Sequence, residues 1–314
     1  MKAFACYNKN ESVRAESSSG GVYTLLAEYV LSKGGAVAAA VYNDEVEVEH
    51  VIVRDSAELE RTRGSKYQPS FLKNTFRELR EILDRGEWAL FVGTPCQCAG
   101  LLAFLKKPYE KLVVCDFICH GVPSRRAWRE YLKSLEKKGF SAKSVNMRDK
   151  SRGWSAYRTT LTDEKGRARS ENHSDNPYMT GFVANLYLRP SCFECRFKGL
   201  ERKTDITLGD FWGVEACQSE MFDDRGTSLV FVNTEKGEKI FSEISKDMIT
   251  AAADEEKAVK YNPCAVSSVS RNTKRDAFFK SLDDGKDFVL TVKRLVKKPF
   301  VKTLKRKIKK ILGR

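Results

Sequence analysis

Histidine is scarce in this 314-residue chain, with three in total, and long apolar runs are missing altogether. No stretch approaches the roughly eighteen consecutive apolar residues that cross a bilayer, which argues against a spanning helix. The opening "MKAFACYNKNESVRAESSSGG" lacks the apolar core of a secretory signal, so the expectation is a cytoplasmic body. There is no internal repeat, and low complexity is confined to the C-terminus. What is present is ample material for a core: 41% of the residues are hydrophobic, enough to fill two packed domains or one large α/β domain with an appendage.

Cysteine is plentiful but irregular. Nine thiols stand at positions 6, 96, 98, 115, 119, 192, 195, 217 and 264. An odd number without an export signal speaks against a disulfide framework and for reduced thiols open to a metal or cluster. The formal charge of +14 is equally uneven. Lys293 to Arg314 holds eleven Lys or Arg and no acid, and the remainder has 45 basic against 42 acidic residues. A nearly neutral body with a basic tail argues against a nucleic-acid reader and points to a local contact made by the tail.

The pattern along the chain predicts a first helix over "GGVYTLLAEYVLSK" (20–33), with Ser19 as its cap and Gly34-Gly35 as its stop. "AVAAAVY" (36–42) and "VEHVIVR" (48–54) read as a hairpin or neighbouring strands, and 71–86 as an amphipathic helix. "WALFVG", "CQCAGLLAFLK", "KLVVCDFICHG" and "SRRAWREYLKSLEKKG" then alternate as strand, helix, strand, helix. That rhythm implies parallel pairing, with ligands at the carboxyl ends of the strands. After residue 140 the pattern becomes an antiparallel insertion, followed by a helix over 177–188, the strand "SLVFVNT", the helix "EKGEKIFSEIS" and helical structure from about 272. The expected class is α/β with α+β elements: a mixed sheet, flanking helices, an antiparallel insertion and a C-terminal basic amphipathic helix. The expected divisions are 1–90, 91–270 and 271–314.

Both turns that carry thiols, at 94–98 and 119–123, fall at strand ends. "CFEC" (Cys192 to Cys195) puts two thiols on one local turn, suited to a zinc ion or to two corners of an iron-sulfur cluster. Cys96 and Cys119 are the candidates for the other two ligands. Cys98, two helical residues beyond Cys96, points about 200° away and is expected to pack. Cys115 lies mid-strand, where a free thiol behaves as a small hydrophobe. Cys6, Cys217 and Cys264 have no partner nearby in sequence. His120 is adjacent to Cys119, and neighbours on an extended segment face opposite ways, which favours a hydrogen-bonded turn histidine over a catalytic dyad. Spacing does not separate zinc from iron-sulfur, although the long gap from Cys119 to Cys192 suits a cluster stitched between two parts of the chain.

"SSSGGVYTLLAEYVLSKGG", "RGSKYQPS", "GTPCQCAGLLAFL", "DFICHGVPS", "RDKSRGW", "NPYMTGF", "LRPSCFECRFKG" and "DITLGDFWG" occur in this order. Together they resemble the family of beta subunits of coenzyme F420 hydrogenases and dehydrogenases, over roughly residues 1 to 235. The resemblance implies an iron-sulfur flavoprotein that passes electrons between a [4Fe-4S] cluster, FAD and an organic substrate or deazaflavin-like coenzyme. It makes Cys96, Cys119, Cys192 and Cys195 the cluster ligands. For FAD it points to Ser18, Ser19, Gly20 and Gly21 and to Gly64, Ser65 and Lys66, where glycines before a helix bring backbone N–H groups close to a pyrophosphate and Lys66 supplies positive charge. Thr94 and Gln97 are further donors toward the ring or phosphates, with Lys198 and Asp210 as weaker candidates. Lys198 is expected to be solvated and Asp210 to end a strand.

Many relatives carry a ferredoxin segment with CxxCxxC repeats, and this sequence shows none. The electron donor is therefore expected to be a separate ferredoxin or partner protein. This short form looks like proteins associated with bacterial polysaccharide synthesis, which makes a glycan precursor or other small molecule the expected substrate. In the tail, Phe300, Val301, Leu304, Ile308, Ile311 and Leu312 recur at mostly three- or four-residue steps between lysines, with Pro299 at a helix start. Such a helix suits an anionic inner leaflet, at about 1 kcal/mol per lysine near the surface. The competing reading is a zinc- or cluster-stabilised accessory protein of glycan assembly without redox chemistry. A thiol transferase using Cys96 or Cys98 ranks below both, because His120 has no evident acidic orienter.

Overall fold

Ala36–Tyr42, Ala89–Gly93 and Leu112–Phe117 are buried almost throughout, and strands of that kind need cover on both faces. The computed structural model, which describes residues 1–296, supplies it. The strands in chain order are β1 (Lys2–Asn8), β2 (Ala36–Tyr42), β3 (Val48–Val53), β4 (Ala89–Gly93), β5 (Leu112–Phe117), β6 (Ala142–Asp149), β7 (Arg158–Asp163), β8 (Ala168–Asn172), β9 (Ile206–Asp210), β10 (Ser228–Val232) and β11 (Met248–Ala253). Eight form one sheet in the order β11-β1-β10-β9-β5-β4-β2-β3, and β6-β7-β8 form a second. Neighbours from β2 through β4 and β5 to β9 pair in parallel; β3, β10, β1 and β11 complete the large sheet antiparallel. The sheet is therefore mixed, as expected, and the hairpin and the antiparallel insertion are both present.

The helices are α1 (Glu11–Glu16), α2 (Val22–Ser32), α3 (Ser56–Leu59), α4 (Thr75–Asp84), α5 (Pro95–Leu105), α6 (Arg125–Glu136), α7 (Pro177–Val183), α8 (Val214–Cys217), α9 (Glu235–Ile244), α10 (Glu255–Tyr261), α11 (Arg275–Asp283) and α12 (Phe288–Leu295). Alternate strand residues serve opposite faces. Val37, Leu90, Val113 and Cys115 pack with Leu26, Val30, Ile240 and Phe241 of α2 and α9. Ala38, Phe91 and Val114 pack with Leu79, Ile82, Cys98 and Leu101 of α4 and α5. Each fully buried leucine or isoleucine contributes about 1.5–3 kcal/mol. A third core, rich in aromatics, joins Trp128 and Tyr131 of α6 to Tyr178, Tyr187, Phe288 and, from the small sheet, Leu161.

Two details differ from expectation. The first helix begins at Val22, and its N-cap is Gly21 in the left-handed conformation (φ 83°) rather than Ser19. The 177–188 helix stops at Val183, after which the chain turns through Asn185. Strands from both sides of residue 90 share the large sheet. The basic helix expected over 299–314 lies outside the described residues. Among the described residues no helix is long and apolar enough to cross a membrane.

Candidate functional site

The turn "GTPCQCAG" follows directly from β4. Gly93 ends the strand, Pro95 takes the first helical position of α5, and Gln97 Oε1 accepts hydrogen bonds from Thr94 N (3.0 Å) and Thr94 Oγ1 (3.1 Å), fastening the entry. This leaves Cys96 exposed at the helix start, with its Sγ 3.1 Å from Thr94 Oγ1. Cys98 is fully buried, its Sγ directed at the carbonyls of Gly93 (3.7 Å) and Cys115 (3.6 Å). The two thiols of the CxC therefore point apart, as the helical spacing predicts.

Cys119 enters from the end of the neighbouring parallel strand β5. The Cys192–Cys195 knuckle reaches the same place because Arg189 N donates to Val122 O (2.9 Å) and Pro123 bridges to Leu188. Gly121 permits the approach: a Cβ there would stand 2.9 Å from Leu188 Cδ1 and 3.4 Å from the Cβ of Cys192. Val122 N donates to Cys192 Sγ (3.3 Å), and Cys195 N donates to Ser268 Oγ (2.9 Å). Cys96, Cys119, Cys192 and Cys195 thus line one cavity of about 30 Å³, shared with His120, Lys198 and Arg202. Among the described residues, no three His, Cys, Asp or Glu side chains converge tightly enough for a single metal ion.

Burial pushes the Cys119 thiol up to about 12 against the pull of Lys198, and the neighbouring thiols push the same way. Burial also raises Cys192, opposed by the Val122 N–H. Thiols in that state hold their protons, so loading the site with metal must release them. His120 is the hydrogen-bonded histidine expected, with Nε2 2.7 Å from Asn185 Oδ1. Two expectations need correction. Lys198 is half-buried rather than solvated, its ammonium donating to Cys119 O and, at 2.7 Å, to Cys264 O. Cys264 has a neighbour after all, with its Sγ 3.7 Å from His120 Nδ1.

A second constellation gathers the segments around Ser18 and Gly64. Ser65 N donates to Ser18 Oγ at 2.6 Å, joining two stretches separated by 47 positions. Gly64, Ser65 and Lys66 line an open cavity of about 280 Å³ with Arg61, Arg63 and Met147. Lys66 Nζ donates to the carbonyls of Thr62 (3.0 Å), Arg63 (2.9 Å) and Gly64 (3.0 Å), and burial brings its pKa down to about 7. Ser19 and Gly20 have structural partners: Ser19 Oγ donates to Thr227 O (2.8 Å), and Gly20 N donates to Ser228 Oγ (3.0 Å). Gly21 opens α2, which has no side-chain cap. Thr94 and Gln97 bond each other beside Cys96 and do not line the Lys66 cavity.

Sequence reasoning missed the residue that ties this constellation together. Arg148, at the end of β6, is 3% exposed and forms a two-pronged ion pair with Asp210, with Nη1 to Oδ2 at 3.0 Å and Nη2 to Oδ1 at 3.2 Å. Its Nη2 also donates to Ser18 O (3.2 Å), its Nη1 approaches Tyr67 OH (3.5 Å), and its guanidinium lies 3.9 Å from the Tyr157 ring centroid. Burial works against the charge, but Asp210 outweighs it and holds the group firmly protonated. Next to it, Lys150 donates to the carbonyls of Arg14 (2.6 Å), Ser19 (3.0 Å) and Arg225 (2.7 Å). The signal in the sequence was "RDK" at the end of a strand, a dense charge run where a half-buried strand would alternate.

Comparison with known proteins identifies the family of the chain. Residues 3–76 match the model for the N-terminal part, and residues 86–258 the model for the C-terminal part, of the coenzyme F420 hydrogenase/dehydrogenase beta subunit. A component of the F(420)H(2) dehydrogenase of Methanosarcina mazei is 26% identical over 242 residues, covering 74% of this chain and 61% of that protein. The chain thus spans about 61% of that relative's length. A chain of the F420-reducing [NiFe] hydrogenase complex from Methanosarcina barkeri shares the fold, with a TM-score of 0.58 at 17% identity over 84% of this chain and 90% of that one. With both halves of the family model matched along its length, the chain belongs to the family of the coenzyme F420 hydrogenase/dehydrogenase beta subunit, an oxidoreductase-type assignment.

Proposed function

We propose that this chain is an iron-sulfur flavoprotein whose Cys96, Cys119, Cys192 and Cys195 hold a [4Fe-4S] cluster and whose Ser18–Gly21 and Gly64–Lys66 segments hold FAD. The observation that carries the reading is the convergence of four thiols from three distant stretches on one cavity. The donor set fits the group, since four thiolates are what such a cluster takes. A single zinc would draw the same four sulfurs to about 2.3 Å from one point, so metal analysis separates the two. When bound, the two groups supply one-electron transfer on the sulfur side and two-electron chemistry on an organic substrate or deazaflavin at the other.

The chain's own residues position and shield. Gln97 fixes the helix start that presents Cys96, and Arg148 fixes the Ser18 carbonyl at the other site. The uncapped start of α2 and the Lys66 ammonium provide positive potential for a pyrophosphate. Because the matching proteins are named as parts of a dehydrogenase and of a hydrogenase complex, the electron donor is taken to be a separate protein component or a small iron-sulfur carrier. The test is chemical analysis of anaerobically purified or reconstituted protein. The expected result is about four irons and one FAD per chain, with a brown colour and flavin bands. A colourless protein holding one zinc would refute the reading.

Lys66 makes FAD binding pH-dependent. Its charged form, favourable to the pyrophosphate, is present below about 7 and is lost as pH rises through that value. The three N–H donors of Lys66 are held by carbonyls, so what it offers the pyrophosphate is a nearby charge of about 1–2 kcal/mol, and FAD affinity should fall about fivefold or more between about pH 6 and about pH 9. Lys66→Met should bind weakly and with little pH dependence. Fluorescence titration of the deflavinated protein at several pH values decides it, and parallel slopes in the two proteins would remove Lys66 from the site.

A further inference from the structure

The cavity of the four thiols has an asymmetric wall. Two cations line it, Arg202 and Lys198. Arg202 is spent on a buried ion pair, with Nη1 2.7 Å from Asp116 Oδ2, and its other nitrogens bond Gly199 O (2.9 Å) and Ala265 O (3.1 Å). The hydrogen bonds of Lys198, by contrast, go to neutral carbonyls, those of Cys119 and Cys264. Its positive charge, held by carbonyls from both sides, stands in the cavity wall beside Cys119. The Cys264 carbonyl comes from a segment that follows the family-matched residues 86–258. That segment grips the knuckle at further points, with Cys195 N donating to Ser268 Oγ (2.9 Å) and Gly199 N to Ala265 O (3.0 Å).

We propose that Lys198, held by the Cys264 carbonyl, is a positioning residue that sets the reduction potential of the cluster by offsetting its negative charge. The proposal rests on the cluster reading above. A cluster with four thiolate ligands is anionic, and one-electron reduction adds a further negative charge to it. A fixed cation against the cavity favours the more negative, reduced form and raises the potential; net charge and local polarity are the protein's main controls on such clusters. Lys198 touches backbone rather than any reacting atom, so its influence is electrostatic.

The experiment compares full-length wild type, Lys198→Met, Lys198→Arg and the exposed-site control Lys203→Met. All are reconstituted anaerobically with iron and sulfide and titrated with dithionite against redox mediators while the cluster is followed spectroscopically. Lys198→Met should shift the reduction equilibrium at least about tenfold toward the oxidised form, about 59 mV more negative for one electron. Lys198→Arg should stay near wild type, and Lys203→Met should not move. If Lys198→Met fails to retain iron, Lys198→Gln, which keeps a donor for the two carbonyls without the charge, is titrated in its place and should show the same negative shift. Iron loss from Lys198→Met and Lys198→Arg alike, or equal potentials in all four proteins, overturns the proposal. Wild type that takes up no iron refutes the cluster reading itself, whereas iron-loaded wild type with an unmoved Lys198→Met potential refutes only the role of Lys198.

Discussion

Replacing Asp210 by leucine is expected to destabilise the protein by about 3–5 kcal/mol, the range for breaking a buried ion pair and leaving one charge uncompensated. Arg148 cannot escape to water: its side chain is 2% exposed, against 17% for Asp210. The same carboxylate accepts from Trp154 Nε1 at 3.2 Å, so a second buried donor loses its partner. The Tyr157 ring holds the guanidinium in place without replacing the lost charge. Urea denaturation read by tryptophan fluorescence measures the loss. Pairing the change with Arg148→Leu removes the stranded cation, so the double variant should be more stable than the sum of the two singles implies. A single-variant cost below about 1 kcal/mol with additive behaviour would show that the pair is incidental. Under the proposed flavoprotein function, FAD retention should drop in Asp210→Leu as well, because Arg148 anchors the Ser18 carbonyl.

The sheet and its flanking helices were legible where local pattern and tertiary role coincide. The amphipathic α4 and the buried β4 and β5 announce themselves, and β2 and β3 pair as neighbours in the chain. β1 was not legible, because both of its partners, β10 and β11, lie more than 200 positions away and nothing adjacent to "KAFACYN" signals pairing. The same limit governs the site. That Cys96 and Cys119 line one cavity was readable because both follow strands of a parallel sheet, whose ends lie together, and the knuckle because two thiols share one turn. Cys264 and Ser268 were not, since their place beside the knuckle is fixed by long-range hydrogen bonds to Lys198 Nζ and Cys195 N. Lys198 looked solvated for the same reason: a lysine after CxxC shows its partners only once Cys119 and Cys264 are brought to it. The capping of α2 failed in a different way, because Ser19 was drawn to Thr227 across the fold and a glycine took its position.

Cys96→Ala and Cys98→Ala should separate chemistry from packing at the turn where the two thiols stand two residues apart. Cys96 is exposed, so its removal should leave stability within about 0.5 kcal/mol of wild type while iron falls from about four per chain to three or fewer. Cys98 is fully buried, its Sγ directed at the carbonyls of Gly93 and Cys115 and not at the cavity that Cys96 lines. Truncating it empties part of the core shared by Phe91, Leu101 and Val114, at a cost of about 1–2 kcal/mol, with the iron count intact. Iron analysis and chemical denaturation on the same preparations read both arms. If Cys98→Ala lost iron and Cys96→Ala kept it, the ligand set would have to be drawn from the inner face of α5. The packing of Cys98 against the sheet forbids that without unwinding the helix start, whose geometry the Thr94–Gln97 pair and Pro95 hold fixed.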